Sequence, residues 1–130
     1  MRCRGARALL VAALLLLATA CQISPHDSSN FVIAYGLSAG AGVTCDSVKY
    51  ENAAEILKVT SPSLPWSYAF QGPAGARVEV RAWMTGTAAG QPAKLKATWT
   101  RVGMSTAGDS SYGTTTAPGK FLLLVSRKAY

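Results

Sequence analysis

Apolar and polar residues alternate along most of the chain after residue 30. The clearest example is the segment RVEVRAWM at residues 77–84, in which one set of alternate positions is apolar throughout. A period of two places the two sets on opposite faces of a β-strand. No stretch of ten or more residues repeats with the period of an α-helix. The pattern therefore predicts an all-β domain whose strands each bury one face.

The sequence predicts about seven short strands, separated by segments rich in glycine, proline and serine. The strands lie within residues 31–35, 48–51, 56–59, 66–71, 77–84, 94–100 and 121–125. The longest predicted loops are residues 85–93 and the serine-, threonine- and glycine-rich residues 105–119. Short strands spaced in this way favour an immunoglobulin-like antiparallel β-sandwich, and a small β-barrel is the alternative.

Two predicted strands carry apolar residues beyond those that one buried face requires. Trp83 shares its face of the fifth predicted strand with Glu79 and Arg81, so we expect it on the solvent-facing side. An indole there either packs beneath a loop or against an arginine, or anchors a protein, glycan or lipid partner. Residues 121–125 are apolar at every position. That run fits a central strand covered on both sides or a final strand with a partner-facing surface.

The first twenty-one residues have the pattern of a secretory signal. Three arginines within residues 1–7 precede an apolar run at residues 8–17, and Ala18 and Ala20 lie just before Cys21. This order is typical of signal peptides, and the apolar run is too short to span a membrane. A cysteine at this place resembles the lipobox of bacterial lipoproteins, which implies that Cys21 bears lipid and becomes the mature N-terminus. An ordinary signal peptide cut after Ala18 or Ala20 is the alternative.

The signal divides the chain into three parts: a signal peptide (1–20), a lipidated cysteine with a flexible tether (21–30) and a β-sandwich domain (31–130). Two or three acyl chains would anchor Cys21 stably, because each buried methylene contributes about 0.8 kcal/mol. The expected location is the extracytoplasmic side of the cell envelope. In a Gram-negative cell it would be the periplasmic face of the outer membrane, since Gln22 and not aspartate follows the cysteine.

Removal of the signal lowers the formal charge from +7 to +4, because it removes three of the thirteen lysines and arginines and none of the six acids. The remaining cations are spread along the chain and do not form the cluster that binds a phosphate backbone. Nucleic acid is therefore not an expected partner. The expected partners are the membrane, through the anchor, and an envelope protein.

Residues suited to catalysis are sparse. His26 is the only histidine and falls in the tether, so the domain has no Ser-His-Asp triad and no histidine metal site. The acids of the domain are scattered: Asp46, Glu51, Glu55, Glu79 and Asp109. We expect a non-enzymatic protein with no catalytic residue, metal or cofactor. Cys45 is the one cysteine of the domain, and we interpret it as a structural thiol.

Three short segments resemble the periplasmic domain of the mycobacterial small membrane proteins of the MmpS type. They are VKYEN at 48–52, SLPWS at 63–67 and GARV at 75–78, and the similarity covers residues 31–102. The resemblance implies an immunoglobulin-like sandwich and an accessory role beside large envelope transporters. That family has a spanning helix in place of the lipobox, and its later cysteines have no counterpart in residues 86–130. The sequence thus predicts a lipid-anchored binding or accessory module; a small secreted enzyme or enzyme inhibitor is the alternative.

Overall fold

Eight β-strands form the domain in the computed structural model, which describes residues 30–101 and 103–130. The strands are β1 (Phe31–Ala39), β2 (Val43–Glu51), β3 (Ile56–Thr60), β4 (Trp66–Gly72), β5 (Arg77–Gly86), β6 (Pro92–Arg101), β7 (Thr106–Thr114) and β8 (Gly119–Lys128). The predictions for the signal peptide, for Cys21 and for the tether up to residue 29 lie outside the described residues. None of the described residues belongs to an apolar helix of the length that a membrane crossing requires.

The strands pair in two four-stranded antiparallel sheets. The β1 sheet has the order β4-β1-β6-β7, and the β5 sheet has the order β3-β2-β5-β8. Each sheet turns one apolar face toward the other, which gives a sandwich-like arrangement. The prediction of an all-β antiparallel fold is confirmed. The described strands form no closed barrel, so the barrel alternative is wrong.

The core lies between the sheets and consists of alternate residues of the central strands. The inward side chains of β5 are completely buried, as the sequence pattern predicted: Val78, Val80, Ala82 and Met84. In the β1 sheet, the largest buried side chains are Ile33, Tyr35, Leu37 and Leu95. The Tyr35 hydroxyl donates a hydrogen bond of 2.8 Å to the Glu51 carbonyl oxygen. Because Tyr35 belongs to β1 and Glu51 to β2, this bond joins the two sheets.

The loop predicted over residues 105–119 is wrong, because most of it is strand β7. β7 pairs with β6 along its length and forms the edge of the β1 sheet. Its residues are mainly small or hydroxylated, so no apolar alternation marks it in the sequence. Gly113 suits this position, since a Cβ there would come within 3.0 Å of Leu123. The domain therefore has eight strands and not the predicted seven.

The second strand begins earlier than predicted and contains a bulge. β2 starts at Val43, and its register with β5 shifts between Cys45 and Ser47. A bulge inserts one residue and so changes which side chains share a face. Cys45 and Val48 consequently both face the core, at 5% and 0% exposure. Without the bulge, the alternation would place them on opposite faces.

The last strand, β8, lies at the edge of the β5 sheet and pairs with β5 within the described part of the chain. Leu123 and Val125 face the core and are 2% exposed. Leu122 and Leu124 point outward and are 50% and 44% exposed. The apolar residues 121–125 thus form a final strand with an exposed apolar face, and the central-strand interpretation is wrong.

Candidate binding surface on the outer face of the β5 sheet

Trp83 lies on the solvent-facing side of β5, at the middle of the β5 sheet. It is opposite Ser47 of β2 and Leu122 of β8, and it is 36% exposed. Opposite residues of an antiparallel pair point to the same face. The structure therefore places Trp83 on the face where the sequence predicted it. Its role as a partner contact stays a prediction.

Exposed apolar side chains cluster next to Trp83. We define the apolar patch as Trp83, Leu122 and Leu124, which lie on the outer face of the neighbouring strands β5 and β8. The outer face of the β1 sheet differs, because its exposed large apolar residues are Val32 and Tyr112, on the separated strands β1 and β7. The apolar patch thus gives the outer face of the β5 sheet a character that the opposite face does not share.

A groove of about 510 Å³ extends from Trp83 across β2 to β3. The side chains that define its character are Asp46, Lys49, Ile56, Lys58, Trp83 and Lys120. Ile56 is 59% exposed, so this side of the groove offers apolar surface to solvent. The groove therefore combines an indole, an aliphatic side chain and three lysines.

Lysines lie directly opposite one another on the floor of this groove. Lys49 of β2 is opposite Lys58 of β3 on one side and Arg81 of β5 on the other. Arg81 is neutralised by Glu79, with 2.9 Å between Nη2 and Oε1. Among the described residues, neither Lys49 nor Lys58 forms an ion pair. Like charges placed opposite each other destabilise a sheet, so an anion bound between the two lysines would relieve their repulsion.

The one acid of the groove, Asp46, is already engaged. Its Oδ2 accepts a hydrogen bond of 2.8 Å from the Thr85 hydroxyl and lies 3.8 Å from the Lys120 ammonium. The bulge between Cys45 and Ser47 is what brings Asp46 to this place. The carboxylate therefore offsets Lys120 and leaves the charges of Lys49 and Lys58 uncompensated.

Two of the remaining acids, Glu51 and Glu79, line one cleft of about 250 Å³ together with Arg77. Glu51 and Glu79 both contact Arg77, at 3.5 Å and 2.7 Å. Asp109 pairs with Arg127 at 2.7 Å, which joins the edge strands β7 and β8. The acid pair at Arg77 is thus held in an ion network with Arg81 on the sheet surface.

Cys45 is enclosed by the core of the sandwich. It is 5% exposed, and burial raises the pKa of its thiol from 9.0 to about 11. A thiol with a raised pKa is a weak nucleophile at neutral pH, because the thiolate is the reactive form. This environment agrees with the interpretation of Cys45 as a structural thiol.

We expect Cys45 to be protected from an aromatic disulfide reagent at about pH 8 and to react once the chain is unfolded. Its pKa is higher in the folded protein than in the unfolded chain, so the unfolded chain loses the proton first as pH rises. The free energy of unfolding should therefore fall between about pH 9 and about pH 11. Burial also raises the pKa of Tyr35 above its ordinary value of 10.0, so this tyrosine adds to the fall from about pH 10 upward.

Denaturant curves across that pH range measure the fall, and a Cys45→Ala variant supplies the matched control. Over this pH range, the free energy of unfolding of the variant should fall by less than that of the parent protein. The variant also shows how much of the labelling comes from cysteines other than Cys45. Rapid labelling of Cys45 in the folded parent would contradict the buried position.

Sequence reasoning found Trp83 and the apolar run that contains Leu122, but it did not place them side by side. Strand parity was enough to place Trp83 on the outer face, whereas the positions of Leu122, Lys49 and Lys58 depend on the register of β8 and β3.

No protein-family model, curated protein or solved structure matches this chain.

Proposed function

We propose that this protein is a non-enzymatic, lipid-anchored binding module of the cell envelope. Cys21 bears the lipid, and an immunoglobulin-like sandwich presents the outer face of the β5 sheet to a partner. The signal pattern that ends at Cys21 supports the anchor. The two four-stranded antiparallel sheets and the resemblance to the MmpS type support the immunoglobulin-like topology.

The observation that carries the binding role is the apolar patch. Trp83, Leu122 and Leu124 are each more than one-third exposed and lie on adjacent strands. Tryptophan is enriched at the centres of protein interfaces, and clustered exposed apolar residues mark interaction sites. The outer face of the β5 sheet is therefore the surface through which we expect the module to act.

The resemblance to the MmpS type implies an accessory role beside an envelope transporter, and we expect the outer face of the β5 sheet to contact an envelope component, either protein or lipid. The alternative of a secreted enzyme or inhibitor would be favoured by a deep pocket that contains two converging acidic residues. Here the converging acids, Glu51 and Glu79, are both bound by Arg77. The apolar patch favours the binding module instead.

A photoreactive phenylalanine analogue at position 83 of the full chain tests this function. We expect cross-links from position 83 to an envelope component, protein or lipid, in living cells. The matched control carries the same analogue in place of Tyr112, which is 69% exposed on the outer face of the β1 sheet. Mass spectrometry of the same purified protein should show a mature chain that begins with lipidated Cys21.

Cross-links of equal yield from both positions, or from neither, would contradict the proposed binding surface. A mature peptide that begins at Gln22, or an unmodified Cys21, would contradict the anchor separately.

A further inference from the structure

We propose that the groove between Lys58, Lys49 and Trp83 binds the phosphate headgroups of anionic lipids and lays the outer face of the β5 sheet against the membrane. This inference rests on the proposed function, because it names the partner of the same surface. The partner is an anionic phospholipid bilayer.

Electrostatics gives the first argument. Lys49 and Lys58 are opposite each other on adjacent strands, and their charges are not compensated within the described residues. Side chains opposite each other in an antiparallel pair have Cβ atoms about 5 Å apart, so one phosphate can contact both ammonium groups. An anion there replaces repulsion with attraction. Each basic residue near an anionic membrane surface raises the binding constant about five-fold.

Apolar surface gives the second argument. Trp83 and Ile56 line the groove, and Leu122 and Leu124 continue the apolar surface toward the edge of the sheet. A free phosphate ion would gain nothing from this apolar surface. At the boundary between lipid headgroups and acyl chains, by contrast, the apolar side chains would leave water. Tryptophan is enriched at that boundary, and lysines beside apolar residues can extend toward the headgroups. The combination fits a bilayer surface better than a soluble anion.

The length of chain before the domain gives the third argument. The nine residues 22–30 separate Cys21 from β1 and can span at most about 30 Å when fully extended. A domain held by lipid on Cys21 therefore stays close to the bilayer. At that range, a surface of modest affinity is occupied much of the time, because the second contact is intramolecular.

The opposite face of the sandwich supplies the matched control. Lys94 and Lys96 lie on the outer face of the β1 sheet. Like Lys49 and Lys58, they are two lysines close together on one sheet face. There, Lys94 lies 5.0 Å from the ring centre of Tyr112 and has no neighbouring apolar patch. If only net charge mattered, both lysine pairs would approach an anionic membrane equally.

Residue-resolved acetylation of the full chain, reconstituted in vesicles, tests this orientation. We compare phosphatidylcholine vesicles with vesicles in which about one-third of the lipid is phosphatidylglycerol. We expect the acetylation rates of Lys49 and Lys58 to fall about five-fold or more in the anionic vesicles. The rates of Lys94 and Lys96 should not change. At about 1 M salt, where the Debye length is about 3 Å, most of this protection should disappear.

Two variants and one competing ligand sharpen the test. The double variant K49E/K58E should lose the dependence of protection at Lys120 on anionic lipid, whereas K94E/K96E should retain it. Inorganic phosphate is added to the detergent-solubilised protein as the soluble source of the same chemistry. If phosphate alone gives the protection, the groove is a site for a soluble anion and the membrane orientation is wrong.

Equal protection of both lysine pairs, or protection that ignores lipid charge, would also overturn the inference. Such results leave the proposed function standing if position 83 cross-links to an envelope protein. If Cys21 carries no lipid, only the anchor is rejected. The acetylation comparison is then made on the unanchored protein with the same vesicles in excess, so it still tests the groove.

Discussion

Replacing Leu123 with alanine should lower the free energy of unfolding by about 3 kcal/mol, whereas the same change at Leu122 should lower it by less than about 1 kcal/mol. The two leucines are neighbours on β8 but face opposite sides of the sheet. Leu123 is 2% exposed and packs against Gly113 of β7, so its truncation leaves a cavity between the sheets. Leu122 is 50% exposed and already contacts water.

Thermal unfolding followed by circular dichroism measures both effects. For a domain of about 100 residues, a loss of about 3 kcal/mol corresponds to a fall in Tm of roughly 12–20 °C. Each variant is the control of the other, because both remove the same atoms from adjacent residues of one strand. Similar losses in the two variants would contradict the alternation assigned to β8.

The central strands could be predicted from the sequence because their burial is regular. In β5, alternate residues from Val78 to Met84 are buried between two sheets, and this geometry imposes a period of two on the sequence. The same alternation predicted strands at residues 66–71 and 94–100, which correspond to β4 and β6. Where a strand has one covered face, its apolar pattern is a direct consequence of packing.

β7 could not be predicted because its stability comes from pairing and not from burial of large side chains. Ala107, Gly108, Ser110 and Ser111 have little apolar surface, and the strand is held by the backbone ladder with β6. The bulge in β2 has a similar origin. It is fixed by how Cys45 and Ser47 align with β5, which a local pattern does not record.

Some features of the candidate surface depend on the pattern within one strand, and others depend on how separate strands pair. Trp83 could be placed from parity within β5 alone. Its contact with Leu122 requires the pairing of β5 with β8, strands separated by the whole of β6 and β7. The facing pair of Lys49 and Lys58 requires the register of the β2–β3 hairpin. A sequence that reads as diffusely basic therefore folds to place two cations side by side.

Replacing Thr115 with valine should lower the free energy of unfolding by about 2 kcal/mol, although the two side chains have nearly the same shape. Thr115 follows β7 and is 6% exposed. Its hydroxyl donates to the Ala88 carbonyl oxygen at 2.5 Å and accepts from the Gln91 amide at 2.9 Å. Valine would leave both backbone groups without this partner, which costs more than the hydrogen bonds themselves contribute.

Thr115 stabilises the domain by holding the loop between β5 and β6 against the end of β7, so the loss should exceed that of an ordinary surface change. Chemical denaturation of T115V, T115S and T116V separates the hydroxyl from the methyl group. T115S retains the hydroxyl and should recover most of the stability, while T116V alters an exposed threonine and should change it by less than about 0.5 kcal/mol. If T115V is as stable as the parent protein, water satisfies these backbone groups and the loop does not depend on the Thr115 hydroxyl.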